Sequence, residues 1–263
     1  MYLYRHHKKI IVAHTFSDDF NSVVAPTDAQ LSVLNMQTGE VVASPELNVD
    51  SSGQVIAIFD RDALPLGDYQ FTWESEAANA FDAVNERVVG YPYFAIHELR
   101  SSEAAQFVDD DNTLMRVREL VEMRIEMLID RAFRPCRYSE RLPIGKYSAE
   151  PSKADVREIL SASINDVPVA AQINSQGCIE VIDAYRRGDT LEVDYIYGAD
   201  MNAEINRACL LLAEEVLKNA PSNITSRTLE GGIFERFVVG GVGSAATSVP
   251  EVNEIVERYK RRF

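Results

Sequence analysis

At 263 residues with 46% hydrophobic side chains, the chain is long enough for two domains that each bury a core, which excludes global disorder. A formal net charge of −15 excludes a sequence-independent grip on nucleic acid, because that affinity comes from Lys and Arg neutralising phosphates and releasing counterions. The acidity has two readings, plain solubility or a negatively lined conduit that repels DNA and lets it slide, and net charge does not say which face carries the acid.

Residues 1–93 read as β. Ile10 to Val12 follow a basic start, Leu31 to Leu34 run through a Gln37-Thr38-Gly39-Glu40 turn into Val41-Val42, and Val55 to Phe59 form a third apolar segment. The clearest strand is Tyr69-Gln70-Phe71-Thr72-Trp73, strictly alternating after Leu64-Pro65-Leu66-Gly67-Asp68. Short strands separated by Gly, Pro and Asp turns predict a small immunoglobulin-like β-sandwich whose core contains some combination of Tyr69, Phe71 and Trp73. The start MYLYRHHKK lacks the apolar run of a secretory signal, and no stretch approaches the roughly 20 apolar residues that span a bilayer. The expectation is a chain made in the cytoplasm with no membrane partner.

A long helix follows. Asp109-Asp110-Asp111-Asn112 supplies N-cap oxygens and negative charge where a helix leaves N–H groups unpaired, so the helix is predicted to begin close to Asp111. Leu114, Val117, Val121, Ile125, Leu128, Ile129 and Ala132 recur at helical steps on one face. That leaves Arg118, Glu119, Glu122 and Glu126 to face solvent or neighbouring subunits, and Pro135 to stop the helix.

Strand patterning returns after it. Ile164-Asn165-Asp166-Val167-Pro168-Val169 reads as a turn between two strands, Cys178 to Ile182 as the next strand, and Leu191, Val193, Tyr195 and Tyr197 alternate with Glu192, Asp194 and Ile196 after an Arg187-Gly188-Asp189 turn. A second helix is expected from about Asn202 to Asn219, ended by Pro221 and burying Ile205, Ala208, Leu212 and Val216. Glycines from Gly231 to Gly243 predict an extended arm. Ser248-Val249-Pro250-Glu251 has capping-box spacing, and Val252, Ile255, Val256 and Tyr259 then form one apolar stripe. Across such a linker the stripe has two possible receivers, a partner surface or its own subunit.

Little in the chain suggests catalysis. His6, His7 and His14 lack acidic or Cys ligands at helical or hairpin spacing, the Asp109 to Asp111 tract lacks a calcium-loop pattern, and Gly240-Gly241-Val242-Gly243 lacks the Lys-Ser/Thr of a phosphate loop. There is no G-x-S-x-G elbow and no H-E-x-x-H helix. Cys136, Cys178 and Cys209 are far apart and odd in number, which supports neither a disulfide framework nor a zinc knuckle. The expectation is a non-enzyme with no cofactor and no metal.

Taken in order, Leu99-Arg100, the long helix, Phe133-Arg134-Pro135-Cys136-Arg137, Ser139-Glu140-Arg141-Leu142, the β region, and Tyr195-Ile196-Tyr197-Gly198 opening Ile205-Asn206-Arg207-Ala208 resemble the head-to-tail adaptor (head completion, or neck connector) proteins of tailed bacteriophages. The resemblance covers roughly residues 94 to 263, and departs from the pattern at Cys136 and in lacking a proline near Met201. It implies an α+β chain: residues 1–93 an N-terminal β-sandwich accessory domain, 94–221 an adaptor core of two long helices with a β-hairpin insert, and 222–263 a C-terminal arm and terminal helix. It also implies a homo-oligomeric ring, expected to be a dodecamer, in the virion neck beneath the portal protein. DNA passes through it without sequence-specific binding, and it presents a lower face to the next neck or tail protein. Val252, Ile255, Val256, Tyr259, Arg258, Arg261 and Arg262, with Lys260 beside them, are then expected to bind portal, and Arg118, Glu119, Glu122 and Glu126 to line a ring interface or the channel. The competing reading is a virion-surface adhesin or carbohydrate-binding module, suggested only by the N-terminal sandwich; a hydrolase ranks third.

Overall fold

The computed structural model describes residues 2–5, 8–17, 23–24, 26–106, 108–145, 148–182, 188–219 and 247–260. The expected glycine-rich arm lies outside them, as do Arg261 and Arg262. The chain is mixed α+β and divides into two compact units, a β unit of Met1–Tyr91, Pro135–Pro151 and Val156–Tyr197 and a helical unit of Pro92–Arg134, Ser152–Asp155 and Gly198–Phe263.

The first half of the β unit contains β1 (Tyr2–Tyr4), β2 (Lys9–His14), β3 (Phe16–Ser17), β4 (Val23–Val24), β5 (Gln30–Asn35), β6 (Val41–Val42), β7 (Leu47–Val49), β8 (Val55–Asp60), β9 (Gly67–Ser75) and β10 (Ala80–Val89). They build a five-stranded sheet in the order β1-β10-β9-β5-β6, a three-stranded sheet β2-β8-β7 and a β3-β4 ribbon. Strand alternation does the sorting: in β9, Tyr69, Phe71 and Trp73 point inward at 0–1% exposure, and in β2, Ile10 and Val12 are buried while Ile11 is 61% exposed. The inward rows of both sheets share one apolar cluster, with Phe59 of β8 edge-on to Phe71 of β9 at 6.2 Å.

The second half contains β11 (Cys136–Pro143), β12 (Val156–Ile164), β13 (Val167–Pro168), β14 (Ala171–Ile173), β15 (Ile179–Val181) and β16 (Thr190–Tyr197). β11, β16, β12 and β13 form a four-stranded sheet, and β14 pairs with β15. Asn165 and Asp166 both have positive φ, 51° and 62°, the conformation that a two-residue hairpin needs between β12 and β13.

The helical unit contains α1 (Ile96–Arg100), α2 (Asp111–Ile129), α3 (Ala203–Asn219) and α4 (Pro250–Tyr259). α2 begins where the acidic tract predicts, because the Asp110 carboxylate accepts the N–H groups of Asn112 at 2.9 Å and Thr113 at 3.1 Å. It ends earlier than expected. Asp130 turns left-handed at φ 54° and closes the helix, so Pro135 is not the stop and Ala132 is not a helical residue. α3 is capped by Asn202, whose Oδ1 accepts the Ile205 N–H at 3.0 Å. For α4 the expected Ser248–Glu251 capping box does not form; Val249 is the N-cap residue and Pro250 the first helical one.

The first cut between the compact units falls at Tyr91/Pro92, two residues from the boundary expected at 93, whereas none falls at 221. Among the described residues, none of the β insert belongs to the apolar cluster of the helical unit. Most of the insert clusters with the N-terminal strands, and Ser152–Asp155 with the helices. Gly90 donates its N–H to the Pro135 carbonyl at 2.9 Å, and a Cβ on Gly90 would lie 2.6 Å from the Pro135 ring. The end of β10 and the start of β11 are therefore in contact through backbone, which ties the insert to the N-terminal strands.

Candidate functional site

Two of the sequence elements carrying the resemblance, Phe133-Arg134 and Gly198, meet at the exit of α2. Arg134 follows that exit and is fully buried. Its Nη1 lies 2.5 Å from Oε2 of Glu122, itself fully buried, and its Nη2 lies 2.8 Å from Oε1 of Glu126. The guanidinium also stacks on the Tyr93 ring, 4.5 Å from its centroid. Tyr93 closes the cluster from the other side. Its backbone N–H donates to Glu122 at 2.7 Å and its hydroxyl donates to Glu126 at 2.6 Å. The same hydroxyl accepts the Phe133 N–H at 2.7 Å, and Asn206 of α3 donates to the Tyr93 carbonyl at 3.0 Å.

Local folding explains the placement. Glu122 and Glu126 are four residues apart, on one face of α2, and the left-handed Asp130 turns the chain back so that Arg134 reaches that face. Gly198, which closes the Tyr195-Ile196-Tyr197-Gly198 element, arrives at the same point. It has φ 118°, and a Cβ there would fall on the Arg134 carbonyl oxygen, so no other residue fits. Its N–H donates to Asp155 at 3.0 Å, and the next N–H, of Ala199, donates to Ala132 at 2.8 Å. Arg131 clasps the Asp155 carboxylate through both Nε and Nη2. The exit of α2 and the approach to α3 are thus joined by backbone hydrogen bonds, with Asp155 held in turn by the part-buried Arg131 guanidinium.

Burial and charge set the chemistry of this cluster. Burial pushes the Tyr93 hydroxyl well above its ordinary pKa, and the adjacent Glu126 charge pushes it further. Burial likewise raises the Cys209 thiol on α3, with Glu122 adding and Arg134 opposing, so Cys209 is a protonated, packed thiol and not a nucleophile. The two carboxylates accept from a guanidinium, a phenol and a backbone amide. These groups hold one another, and the arrangement fixes how α2, its exit and α3 pack.

This overturns the placement of the first set of expected site residues. Glu122 is 0% and Arg118 8% exposed, Glu126 is tied to Tyr93 and Arg134, and Glu119 is half-buried. They do not form an outward charged face. The outward residues of α2 include Met115, Met123 and Met127, at 41%, 43% and 71% exposure.

The second set is also corrected. Val252, Ile255 and Val256 are at most 5% exposed, inside the helical core, and Tyr259 stands edge-on to Phe133 at 5.7 Å. Tyr259 donates its hydroxyl to Glu204 of α3 at 2.7 Å, and Arg258 pairs with the same carboxylate, which Tyr259 first and then Arg258 hold below the usual carboxylate pKa range. The stripe is occupied by its own subunit, so these side chains are not free to receive portal.

Of the histidines, His14 stacks on Trp73 with ring centroids 5.4 Å apart and 15° between planes, and its Nδ1 lies 3.7 Å from Asp82. His97 is exposed on α1, and His6 and His7 lie outside the described residues. Among the described residues no group of three or more His, Cys, Asp or Glu could hold a metal ion, and no helix is long and apolar enough to cross a membrane.

Sequence reasoning missed Arg134 and Tyr93 as the centre of the cluster. The available signal was an arginine between Phe133 and Pro135 following two glutamates at i and i+4. Compared with models of known protein families and with curated proteins, the sequence matches none.

Proposed function

We propose that the chain is a non-catalytic structural subunit of a bacteriophage head-to-tail connector, forming a homo-oligomeric ring between the portal and the next neck or tail protein. The observation that carries this reading is the meeting of Phe133-Arg134 with Gly198. Two elements chosen only for their order along the sequence lie against each other through a glycine-only approach, with a backbone hydrogen bond between their flanking residues Ala199 and Ala132, as expected if that order reflects one common construction. In this reading the two N-terminal sheets are an immunoglobulin-like accessory layer, and α2 to α4 are the adaptor core. The outward Met115, Met123 and Met127 replace the four charges as the ring contact, since methionine adapts to a partner surface. The acidic chain lines a DNA path without gripping it.

The test is to add purified full-length protein to DNA-filled, portal-bearing heads that lack it and to image the vertex. A closed ring of density beneath the portal is expected. Protein that stays in the supernatant while binding a defined glycan on an array would replace this reading with the adhesin.

A further inference from the structure

We propose that the free edge of β2 is a self-pairing site: β2 of one copy adds antiparallel to β2 of a second copy, centred on Ile11, and joins two three-stranded sheets into one of six strands. The inference concerns the N-terminal strands alone and does not rest on the connector reading.

The ladder between β2 and β8 fixes which backbone groups are left over. Arg61 donates its N–H to the Lys8 carbonyl at 2.9 Å, and residues 8 and 61 stand opposite each other one step beyond the Lys9–Asp60 pair. In an antiparallel pair, opposed residues alternate between exchanging hydrogen bonds and turning those groups away. Ile10, Val12 and His14 therefore bond to β8, and Lys9, Ile11 and Ala13 point their N–H and C=O groups to the other side. β2 is an outer strand of the β2-β8-β7 sheet, and among the described residues no other backbone group pairs with those three. Their side chains are exposed as well, Ile11 at 61%. Three donors and three acceptors in a row form a template for another extended strand.

β2 also lacks most of what keeps such an edge from pairing. It has no proline, and its register with β8 runs without a bulge. The one lysine within it, Lys9, selects the orientation. Parallel, in-register pairing would set Lys9 beside the second copy's Lys9. Antiparallel pairing centred on Ile11 sets it beside the second copy's Ala13 and separates the two lysines by roughly 13 Å along the strands. Ile10 then meets Val12 on the buried face, so the two inward apolar rows run on into each other. On the outer face Ile58 of β8 stands beside Ile11 and is itself 37% exposed, so one row across four strands reads Ile58, Ile11, Ile11, Ile58. Every position of β2 thus finds an acceptable neighbour in β2 itself, as a two-fold, isologous contact demands. That self-complementarity identifies the occupant as a second copy. One strand pair is small beside the roughly 1,600 Å² of a standard interface, so the dimer is expected to be weak, half formed at about 100 μM.

Sedimentation velocity of the full chain from about 10 μM to about 1 mM brackets that affinity, and the wild type is expected to pass from monomer to dimer across the range. Ile11→Lys places two lysines directly opposite each other across the two-fold. At an exposed position whose N–H and C=O bond nothing in β8, it should leave the circular dichroism unchanged and weaken the dimer by roughly tenfold or more. Ala13→Glu sets a glutamate against Lys9 at both ends and should tighten the dimer roughly two- to tenfold. On oxidation Ile11→Cys is expected to form a symmetric disulfide, since residues opposed in a bonded pair lie about 5.5 Å apart at Cα. Ile58→Cys, three strand spacings from its symmetry mate, is not. Wild-type protein under the same oxidation sets the background from Cys178, the one native cysteine that is not buried. A wild-type chain that stays monomeric throughout overturns the proposal and leaves the edge to a strand of another protein. So does a dimer whose strength neither Ile11→Lys nor Ala13→Glu changes, because contact through any other surface, the α2 methionines included, would be blind to both. Equal cross-linking at positions 11 and 58 would mean that the sheets meet face to face, which also overturns it. No step involves heads or portal, so ring formation beneath the portal is a separate outcome.

Discussion

The helical unit and the β unit solve the same packing problem with opposite chemistry. The β unit buries an aromatic and aliphatic core around Phe71 and Trp73 and leaves its described ion pairs at least partly exposed, from Arg141–Glu192 and Arg87–Asp68 down to Arg137–Asp194 at 12% and 14% side-chain exposure. The helical unit places a guanidinium and a carboxylate at zero exposure in its interior. A sheet does not need such a device, because its backbone register already dictates which residues face each other. Helices slide and rotate more freely against one another, and a buried charge cluster admits one alignment.

The largest effect should come from breaking that cluster. Arg134→Ala removes the guanidinium that pairs with Glu122 and Glu126 and is expected to cost about 3–5 kcal/mol, which urea unfolding followed by circular dichroism at 222 nm would show as early loss of helix. If Arg134→Ala shifts the midpoint no more than a surface substitution does, the buried charges are not what holds the helices in place. The matching cut in the β unit is Trp73→Ala, expected to cost about 3–5 kcal/mol for a fully buried aromatic. It should lower the strand signal while the helical signal persists longer, and simultaneous loss of both would mean that the two units do not unfold separately.

A smaller effect is expected from acid. Burial lowers the His14 pKa more than the Asp82 charge raises it, so below the ordinary histidine pKa near 6.5 the unfolded chain takes up a proton that the folded chain refuses. The stabilisation is complete above that pH and is lost as the pH falls from it through the lower folded value. The chain has one tryptophan, so Trp73 fluorescence during unfolding at pH 7.5, 6.5 and 5.5 reports on this contact directly. His14→Gln should flatten the slope, and an unchanged slope would assign it elsewhere. Smallest of all should be Arg141→Ala. The arginine is 75% exposed and faces Glu192 across the β11–β16 ladder, and the change should stay within about 0.5 kcal/mol of neutral in the same titration.

Local signals were the legible ones. The Asp110 cap, the β9 alternation, the Asn165-Asp166 turn and the β16 alternation each sit within a few residues of sequence and read correctly. β10 did not. Its first half carries little apolar alternation and leaves Phe81 70% exposed; it is a strand because it pairs residue for residue with β9. The glutamates of α2 were misread for a related reason. Periodicity assigns charge to the outside, and their partners, Tyr93 before the helix and Arg134 after it, are joined to them only by the fold. For α4, the pattern identified which residues are buried but carried no information about what buries them.

The order in which the chain is made gives α4 a further consequence. α2 leaves the ribosome long before the helix that completes its core. At about 5–20 residues per second, synthesis from Ile129 to Pro250 takes on the order of ten seconds. For that interval the apolar side of α2, with two glutamates embedded in it, has no terminal helix to cover it. The groove that α4 fills between α2 and α3 itself exists only once α3 has followed α2, which leaves roughly 2–6 seconds at that rate before Pro250 is added.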